Sequence, residues 1–594
     1  MRQPKIIVVG GGLAGLMATI KVAEAGVPVE LFSIVPVKRS HSVCAQGGIN
    51  AAKNQKGEGD TTQKHFDDTI YGGDFLANQP LVKRMCEAAP GIIDLLDRMG
   101  VMFNRTPEGL LDYRRFGGTL YHRTAFAGAT TGQQLLYALD EQVRRHESEG
   151  RVVKREGWSF LSAVIDDGGV GRGICAMDLR SMEVKTFAAD AVIFCTGGIG
   201  AIFGRSTNSV VCTGSAQSAL FQQGVDYANG EFIQVHPTAI PGEDKLRLMS
   251  ESARGEGGRV WVPRNPAEKR AAKTVPEAER FYFLEEWYPK YGNLVPRDIA
   301  TRAIHRIVYQ EKLGIAGQAA VYLDVTHIPR ETLDRKLEGI LEIYEKFLGV
   351  DPRQEPMKVF PAMHYTMGGL WVNGEDQATN VPGIYAAGEC EYQYHGANRL
   401  GANSLVSCIF GGGIAGPAAV KYARSLEKGT EAVEASVFAH EQKRQEAMNR
   451  ALVSQQGSEN PITIWKELGA IMTEHVTVTR INKNLESANA KLAELQARYK
   501  KINLSDRTMW SNQTLNFARE LGNMLILARV ITLGALCRNE SRGAHYKPDF
   551  PERDDANWLK TTLAKWVNQD VQLAYDPVDI SQIPPRPRRY DAAK

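Results

Sequence analysis

The segment Lys5-Ile6-Ile7-Val8-Val9-Gly10-Gly11-Gly12-Leu13-Ala14-Gly15 joins a short apolar run directly to a glycine-rich loop, and a helical pattern follows to about residue 25. A Rossmann βαβ unit requires this order of strand, loop and helix. The first glycine would make the tight turn, the third would let the backbone approach a pyrophosphate, and the last would pack helix against strand. The pyrophosphate would lie on unpaired amide N–H groups at the positive end of the helix dipole. We therefore predict a dinucleotide-binding unit with contacts from Gly10, Gly12, Leu13, Ala14 and Gly15.

Length and composition indicate a multidomain globular protein. At 594 residues the chain is too long for one hydrophobic core, which predicts about two to four domains. Hydrophobic residues make up 43% and charged residues 23%, both ordinary values for a water-soluble protein. The 71 basic and 68 acidic residues leave a net charge of +3, which argues against a broad nucleic-acid surface. A local basic patch around an anionic substrate is compatible with this balance.

The cysteine spacing, the N-terminal sequence and the lengths of apolar runs indicate the cellular compartment of the protein. Eight cysteines are scattered without a C-x-x-C pair, which fits neither a disulfide framework nor a zinc or iron–sulfur site. We therefore expect no metal ligands and a reduced, cytosolic compartment. Met1 leads almost directly into the first strand, which leaves no room for a signal peptide. No run of ~18 apolar residues is apparent, so we expect no membrane span and a membrane link only through other proteins.

Changes of pattern along the chain predict five segments. Residues 241–351 are charged, contain several prolines and include helical stretches such as 332–347, so we interpret them as an inserted domain. Sheet and loop patterns resume at Val359 and continue through Val420, so the dinucleotide domain is predicted to be split. The predicted segments are 1–240 and 352–420 for the two parts of the dinucleotide domain, 241–351 for the insert, 421–545 for a helical domain and 546–594 for a C-terminal region.

The first part of the dinucleotide domain is β-rich over residues 152–198. Alternating stretches at 161–166 and 173–179 meet at Asp166-Asp167-Gly168-Gly169, which predicts a β-hairpin. The apolar run Ala191-Val192-Ile193-Phe194-Cys195 ends in Thr196-Gly197-Gly198. That combination is typical of a parallel strand whose carboxyl end meets a ligand.

The later part of the chain combines a helical domain with a basic tail. An apolar seam with spacings of four and three predicts a packed helical hairpin with a solvated outer face. The proline- and arginine-rich residues 583–590 predict an extended tail on the surface. The seam residues are Ile481, Leu485, Ala488, Leu492, Leu495, Tyr499 and Ile502.

His41 lies in Arg39-Ser40-His41-Ser42-Val43-Cys44-Ala45-Gln46-Gly47-Gly48, shortly after the glycine loop. This segment resembles the one in which the succinate dehydrogenase and fumarate reductase flavoproteins attach FAD covalently through a histidine. Further segments follow in the order of that family, from residue 10 to about residue 560. They are Phe116-Gly117-Gly118, Gln234-Val235-His236-Pro237-Thr238, Glu251-Ser252-Ala253-Arg254-Gly255-Glu256-Gly257-Gly258, Arg297-Asp298, His364-Tyr365-Thr366-Met367-Gly368-Gly369, Ala386-Ala387-Gly388-Glu389, His395-Gly396-Ala397-Asn398-Arg399-Leu400-Gly401 and Glu540-Ser541-Arg542-Gly543-Ala544-His545.

The resemblance implies an α/β fold, in which a split Rossmann-type FAD-binding domain carries an inserted α+β capping domain and is followed by an α-helical domain and a small C-terminal domain. It implies a catalytic subunit that oxidises succinate to fumarate, reversibly, by hydride transfer to covalent FAD. The implied partners are an iron–sulfur subunit and, through it, a membrane-anchor cytochrome b subunit and quinone, as in respiratory complex II. The chain would then be peripheral, at the cytoplasmic face of the cell membrane. Residues 232–259 and 293–304 resemble the menaquinone-linked branch, and the working direction stays open.

Two features favour FAD over NAD. Glu30 falls inside the predicted strand 27–32, and Ser33-Ile34 takes the end position where an NAD enzyme usually has an acid. Gly388-Glu389 resembles the family's second FAD contact, where a carboxylate accepts ribityl hydroxyls. One departure is Thr213-Gly214-Ser215, because the family commonly has Gly-Asp there. The FAD contacts that the resemblance implies, besides the glycine loop, are Ser33, Ser40, His41 as the covalent link, Ser42, Gln46, Gly47, Gly48, Thr196, Gly197, Gly198, Glu389, Arg399, Asn403, Ser404 and Leu405.

The substrate prediction rests on charge. A four-carbon dicarboxylate needs positive or donor groups at both ends and a flat flavin beside its middle. Arg399, His364 and His236 can supply these groups at one end, with a guanidinium able to bind a carboxylate through two hydrogen bonds. The resemblance implies that Gln46, Gly47, Ser250 and Glu251 contact the other end and that Phe116 covers the substrate.

Succinate oxidation removes a hydride from one methylene group and a proton from the next, and neither C–H is acidic, so positioning must support both events. The resemblance implies that Arg297 donates and accepts the proton, with a link to solvent through Glu251 and Arg254. Because a guanidinium holds its proton to a pKa above ~12, this role requires nearby cations and desolvation. On pKa grounds alone His236 or His364 would be the easier base, so both assignments stay open.

Three alternatives were compared with this interpretation. The related L-aspartate oxidases lack the linking histidine, so His41 and the helical region that ends at residue 545 count against them. Soluble fumarate reductases usually carry extra haem or flavin domains, and none is visible in this sequence. A non-catalytic FAD-binding scaffold would have no need of Arg297, His364 and Arg399 together.

Overall fold

The computed structural model describes residues 3–242, 246–315 and 318–590. Over these residues the chain forms twenty-one strands, which are β1 (Ile6–Val9), β2 (Val29–Ser33), β3 (Ile49–Asn50), β4 (Tyr113–Arg114), β5 (Thr124–Ala125), β6 (Val152–Glu156), β7 (Trp158–Ile165), β8 (Gly171–Asp178), β9 (Val184–Ala188), β10 (Ala191–Phe194), β11 (Tyr227–Ala228), β12 (Ile233–Ile240), β13 (Arg247–Leu248), β14 (Arg259–Pro263), β15 (Arg280–Phe281), β16 (Val321–Asp324), β17 (Met357–Thr366), β18 (Gly369–Leu370), β19 (Ile384–Ala386), β20 (Lys560–Val567) and β21 (Asp570–Pro577). The α-helices are α1 (Leu13–Glu24), α2 (Thr62–Gly72), α3 (Gln79–Arg98), α4 (Thr131–Ser148), α5 (Ser215–Gln222), α6 (Ser252–Gly255), α7 (Phe283–Trp287), α8 (Arg297–His305), α9 (Arg330–Lys336), α10 (Glu338–Leu348), α11 (Asn403–Ser425), α12 (Ala435–Ser454), α13 (Pro461–His475), α14 (Asn482–Tyr499), α15 (Gln513–Cys537) and α16 (Asp555–Trp558).

A parallel five-stranded sheet, in the order β19-β10-β1-β2-β6, confirms the predicted α/β fold at its centre. β1 is buried along its whole length between β2 and β10, as its apolar sequence requires. β10 is the parallel strand expected before Thr196, and β19 joins its far edge. Because β19 comes from a segment far along the chain, the sheet is assembled from two parts of the sequence.

The glycine loop turns sharply between β1 and α1. Gly10 has a φ of +116°, which a side chain would strain. At Gly15 a Cβ atom would lie 1.8 Å from the carbonyl oxygen of Gly10, so only glycine lets α1 lie this close to the loop. β2 extends from Val29 to Ser33, two residues later than predicted at its start and one at its end, and Ser33 is therefore its last residue.

We call residues 233–366 the cap. Its six-stranded sheet has the order β13-β12-β17-β16-β14-β15 and encloses a separate hydrophobic core with α7, α8 and α10. β12 precedes the predicted insert 241–351 and β17 follows it, so the sheet extends past that segment at both ends. The stretch 332–347 was expected as one helix, but it divides into α9 and α10 at Leu337.

The β-rich and helical segments follow the sequence patterns closely. β7 and β8 form the expected hairpin around residues 166–169, and β9 extends it to an antiparallel three-stranded sheet. α14 carries the predicted seam, with its middle four members buried against α15 and α13. Ile481 precedes α14 and is 38% exposed, so it lies at the edge of this core.

Two helices, α11 and α15, are long and apolar enough to cross a membrane by length and composition, contrary to the expectation that no such run exists. Of the most apolar window in each, 61% is buried inside the protein. α11 packs along α1, and α15 packs against α14 and α13. Their apolar sequences are accounted for by the cores that they fill.

In the C-terminal region the hairpin β20–β21 joins β11 and β18 in a four-stranded sheet. Residues 583–590 were predicted as an extended surface tail, and four of them are exposed, but the segment is anchored to the rest of the protein. Ile583 and Tyr590 are buried, and Arg588 forms a buried ion pair with Asp298 of the cap. Composition could not reveal this, because a proline- and arginine-rich segment shows neither helical nor strand periodicity.

We predict that Gly15→Ala lowers the free energy of unfolding by about 1–3 kcal/mol, because the added methyl group meets the Gly10 carbonyl oxygen. Urea unfolding followed by circular dichroism measures the change. Gly91→Ala is the matched control, since Gly91 lies in α3 with open space around its Cβ position. That control should raise stability by up to about 1 kcal/mol. Equal effects of the two substitutions would contradict the packing argument.

Candidate active site

One cleft runs along the carboxyl ends of β1, β2 and β10 and continues under the cap. Its walls combine the glycine loop, the segment around His41, the turn after β19, the start of α11 and residues of the cap. Most of the predicted site residues share this cleft: Gly10, Gly12, Leu13, Ala14, Ser33, Ser40, His41, Ser42, Gln46, Gly47, Gly48, Phe116, Thr196, Gly197, His236, Ser250, Glu251, Arg297, His364, Glu389, Arg399, Ser404 and Leu405.

Four predicted residues do not line the cleft but lie behind it. Gly15 packs on the glycine loop, and Gly198 lies against Glu389, where a Cβ atom would come 2.4 Å from the carboxyl oxygen. Arg254 is buried behind Glu251. The side-chain oxygen of Asn403 accepts a hydrogen bond from the side-chain amide of Asn50 at 2.8 Å. The Asn403 side chain therefore supports the start of α11 from the protein interior.

The glycine loop leaves a place for a charged phosphate chain. Gly12 precedes α1 without a side-chain cap, and a Cβ atom there would lie 3.2 Å from the Ser42 hydroxyl. The amide of Leu13 donates to that hydroxyl at 3.3 Å. The first turn of α1 thus contacts the segment that carries His41. The backbone amides that are predicted to bind phosphate and the predicted covalent link therefore lie in the same wall of the cleft.

His41 begins a short 3-10 helix (His41–Cys44) and faces the loop after β10. The backbone N–H of Ser209 donates to Nδ1 of His41 at 3.2 Å, and the Asn208 amide nitrogen lies 3.3 Å from Nε2. The same amide donates to the carbonyl oxygen of His364 at 2.8 Å. Asn208 therefore connects the imidazole of residue 41 with the substrate end of the cleft.

Glu389 follows β19, as predicted from the sequence. Its carboxyl group accepts a hydrogen bond from the Thr366 backbone amide at 3.1 Å. Burial raises the pKa of Glu389 to about 8. At neutral pH this group is mostly a protonated carboxyl, which can donate a hydrogen bond as well as accept one.

The imidazole of His236 is buried and that of His364 is half-buried, and their ring centroids are 5.0 Å apart. Thr207 Oγ1 lies 2.8 Å from Nδ1 of His364, and the Thr238 amide donates to Nδ1 of His236 at 3.2 Å. Nε2 of His236 is buried without a hydrogen-bond partner among the described residues, which indicates an atom that meets a ligand.

Both imidazoles are weak bases in this cleft. Burial and the neighbouring Arg297 hold the pKa of His236 well below its ordinary value. Burial, Arg297 and Arg399 act in the same way on the pKa of His364. At neutral pH both rings are uncharged, so they can serve as hydrogen-bond donors to a carboxylate but accept a proton poorly.

A buried row of charges connects the cap with the cleft. Arg297, the first residue of α8, donates from Nη2 and Nε to one oxygen of Glu251 at 2.7 and 2.9 Å. Arg254 donates to the other oxygen at 3.1 Å. Burial alone would raise the pKa of Glu251, but Arg297 and Arg254 outweigh it and hold that pKa below its ordinary value.

Arg399 supplies a second guanidinium from the segment before α11. It lies over the Tyr365 ring with its central carbon 4.4 Å from the ring centroid, and its Nη1 donates to Ser404 at 3.2 Å. Its Nε is buried without a hydrogen-bond partner among the described residues. Burial and the nearby Arg297 lower the pKa of Arg399 to about 9. The three guanidiniums of Arg254, Arg297 and Arg399 share the single carboxylate of Glu251, so the site keeps a net positive charge that favours an anion.

Several residues that shape the cleft were not predicted as site residues. Gln234 accepts from Arg297 at 3.0 Å and donates to the Arg399 carbonyl at 2.8 Å, so one amide connects the two arginines. Arg114 donates to the Gly47 carbonyl at 3.0 Å. Glu520 reaches the cleft from α15, and burial raises its pKa to about 7. Of these residues, only Gln234 lies in a sequence motif quoted above. Arg114 and Glu520 can be assigned to the cleft only from their long-range contacts in the structure.

The donors and the shape of the cleft fit FAD. Amides at the start of α1 suit a pyrophosphate, His41 can reach one edge of a flat ring system, and Glu389 suits a ribityl chain. Phe116 lies against Gly47, and its nearest ring atom would be 2.7 Å from a Cβ atom built on Gly47. An aromatic ring therefore closes the end of the cleft that is predicted to hold the substrate. Across the residues with described positions, no group of three or more His, Cys, Asp or Glu could hold a metal ion.

Comparison with known proteins finds relatives over the whole length of the chain. A family model described as FAD binding domain matches residues 5–405, and another, described as fumarate reductase flavoprotein C-term, matches residues 465–590. The chain is 63% identical over 596 residues to the succinate dehydrogenase flavoprotein subunit of Bacillus subtilis, covering 100% of both proteins. It is 35% identical to the fumarate reductase flavoprotein subunit of Escherichia coli, covering 99% of this chain and 96% of that one.

A solved structure of E. coli quinol fumarate reductase superposes with a TM-score of 0.90 at 32% identity, covering 100% of both chains. Sequence and structure agree over the whole length, so the likeness is not confined to the dinucleotide unit. This chain belongs to the family of succinate dehydrogenase and fumarate reductase flavoprotein subunits.

Proposed function

We propose that the chain is the catalytic flavoprotein subunit that oxidises succinate to fumarate with covalently bound FAD. The observation that carries the proposal is the Arg297–Glu251–Arg254 row facing Arg399 and two neutral imidazoles inside the FAD cleft. This arrangement has the charge for a dicarboxylate and a path for a proton at the same place. Bound FAD supplies the two-electron acceptor, and the side chains bind, orient and deprotonate the substrate.

Arg399 and the two imidazoles are proposed to hold one carboxylate of the substrate. Arg399 can make two parallel hydrogen bonds, and His236 can donate from the Nε2 atom, for which the described part of the chain offers no partner. Gln46, Gly47 and Ser250 are proposed to hold the other carboxylate. Pinning both ends sets the central bond against the flavin and favours a flatter, fumarate-like transition state.

Arg297 is proposed to take the proton from the second methylene carbon in its neutral form, after its own proton has passed to Glu251 and on toward Arg254. The lowered pKa values of His236 and His364 support Arg297 over either imidazole, because a weakly basic ring gains little by accepting a proton. Glu251 lies within hydrogen-bond distance of both Arg297 and Arg254, so it can pass the proton onward.

His41 is proposed as the covalent attachment point, with Ser40, Ser42, Thr196 and Gly197 among the FAD contacts. Replacing a hydrogen of the flavin methyl group by an imidazole nitrogen withdraws electron density and raises the reduction potential. A higher potential favours oxidation of succinate, which is a poor hydride donor.

Electrons are proposed to leave through an iron–sulfur subunit and a membrane-anchor cytochrome b subunit to quinone. The flavoprotein-subunit names of the relatives support this assembly, and one solved relative is titled a quinol-fumarate reductase with menaquinol molecules. We place the chain at the cytoplasmic face of the cell membrane, held there by its partners. Fumarate reduction is the reverse reaction at the same residues, and the potentials of the partners set the working direction.

His41→Ser should retain FAD by the non-covalent contacts of the cleft but lose succinate oxidation. The expected readouts are flavin absorbance in the native protein, no flavin fluorescence on a denaturing gel, and no succinate-dependent dye reduction. His440→Ser changes an exposed histidine on α12 and should leave all three unchanged. Full succinate turnover by His41→Ser would refute the role of the covalent link.

Arg297→Lys should lower kcat by at least about 100-fold, because removing a positioned acid–base group typically costs about 100- to 10,000-fold. Malonate binding, measured by its effect on the flavin spectrum, should weaken far less, since Arg399 remains. Arg306→Lys, an exposed arginine just beyond α8, is the matched control. Retained turnover in Arg297→Lys would return the proton-acceptor role to a histidine.

The pH dependence of malonate binding should report Arg399 and not the imidazoles. Affinity should fall as pH rises through about 9, because Arg399 loses its positive charge there. Since His236 and His364 stay neutral, their protonation should add no affinity as pH falls from about 7 to about 6, and ionisation of Glu389 at about pH 8 can only add to the loss at higher pH. A steady gain in affinity as pH falls below about 7 would show that an imidazolium binds the anion.

A further inference from the structure

The C-terminal segment 583–590 ends against the helix that carries Arg297. Arg588 binds Asp298 through two hydrogen bonds, Nη1 to Oδ2 at 2.5 Å and Nη2 to Oδ1 at 3.1 Å. The Arg588 side chain is 7% exposed and that of Asp298 is 1% exposed. Asp298 is the residue after Arg297 at the start of α8, so this ion pair lies one residue from the proposed proton acceptor.

The same segment is bound to the parallel-sheet part of the protein. The side-chain amide of Gln79, at the start of α3, both donates to and accepts from the backbone of Ile583 at 2.8 Å. The Tyr71 hydroxyl on α2 accepts from the Arg589 amide at 2.6 Å. Arg586 pairs with Asp67 on the same helix. These contacts fix the segment before it reaches the cap.

Tyr590 completes the connection between the two parts. It is buried between Tyr71 of α2 and Tyr291 of the cap, with ring centroids 5.5 and 5.1 Å away. The Arg588 guanidinium lies over the Tyr590 ring at 5.0 Å from its centroid. The aromatic rings exclude water from the ion pair, which strengthens its electrostatic attraction.

We propose that Arg588 and Tyr590 are positioning residues for catalysis: they clamp the cap to the parallel-sheet part and hold the start of α8 so that Arg297 faces the substrate. The inference rests on the proposed function, because it assigns a purpose to the placement of Arg297. Neither residue touches substrate or FAD.

The charges around Asp298 support a position-setting contact. Burial would raise the pKa of Asp298, but Arg588 and Arg302 outweigh it and hold that pKa below its ordinary value. Arg302, one turn along α8, lies 3.4 Å from the same carboxylate and donates to the Gly543 carbonyl at 2.7 Å. Removing Arg588 would leave this buried carboxylate with Arg302 as its remaining ion-pair partner among the described residues, so α8 would shift toward water.

Loss of the clamp should affect proton transfer more than substrate binding. Arg399 would hold the substrate from a segment outside the cap, and His236 and His364 lie on the strands β12 and β17 of the cap sheet, whereas Arg297 is the residue next to the clamped Asp298. A displacement of about 1 Å at a reacting group can cost about 100-fold in rate. A misplaced Arg297 would therefore lower kcat while the dissociation constant for a dicarboxylate changed little.

The test uses the assembled holoenzyme with Arg588→Ala, and Arg589→Ala as the matched control. Arg589 is the neighbouring arginine, and its side chain is exposed while its backbone makes the Tyr71 contacts. We expect Arg588→Ala to lower kcat for succinate at least tenfold. The malonate dissociation constant should change less than about threefold, and covalent FAD content should stay at the wild-type level. The isotope effect on kcat with succinate deuterated at both methylene carbons should rise, because C–H cleavage becomes more rate-limiting.

Further variants separate positioning from a general loss of structure. Arg588→Lys should recover part of kcat, since it keeps the charge but not the two-fold hydrogen bonding. Asp298→Asn should reproduce the defect, and the double variant should be no worse than either single one. Equal losses of kcat, malonate affinity and FAD content in Arg588→Ala would overturn the proposal, as would wild-type kcat in that variant or additive losses in the double variant.

A readout without turnover keeps this inference separate from the proposed function. Hydrogen–deuterium exchange of the α8 amides should speed up in Arg588→Ala and not in Arg589→Ala. Unchanged exchange would overturn the clamp even if succinate is the substrate. Absence of succinate turnover in the wild-type enzyme, with faster α8 exchange in Arg588→Ala, would contradict the substrate and leave the clamp in place.

Discussion

The carboxylate of Glu251, buried between the guanidiniums of Arg297 and Arg254, is the contact on which the rest of the site depends. It holds a cap residue at the mouth of a cleft built by the parallel sheet, and it compensates part of the positive charge collected there. Without it, three buried arginines would repel one another and draw water into the site. With it, the cleft keeps just enough positive charge to attract a dianion and to suppress protonation of both histidines.

The dinucleotide unit could be predicted from sequence because its physics is local. The turn at Gly10, the close packing at Gly15 and the buried strand β10 each require particular residue types within a short stretch of sequence. The family resemblance supplied the rest of the cleft, since residues as distant as His41, His236 and Arg399 cannot be brought together by periodicity. The structure places them along one cleft, in agreement with that resemblance.

The features that sequence could not predict depend on contacts between distant segments. The pKa values of the two imidazoles follow from burial and from arginines on other elements, so the basicity of a free histidine does not apply to them. Gln234 connects two arginines that are far from it in the chain. The anchoring of the C-terminal segment was not predicted because its composition is that of a solvated tail, while Gln79, Tyr71, Tyr291 and Asp298, which bind it, lie hundreds of positions earlier.

The split sheet has a consequence for how the protein is made. β19, Glu389 and the start of α11 complete a cleft whose glycine loop leaves the ribosome about 380 residues earlier, and the cap lies between them. Domains generally form as units while a chain is being synthesised, but this one cannot close until its later part exists. The nascent cofactor pocket therefore lacks one wall until residue 405 of the 594 has been made, and the prosthetic group can be fully enclosed only after that point.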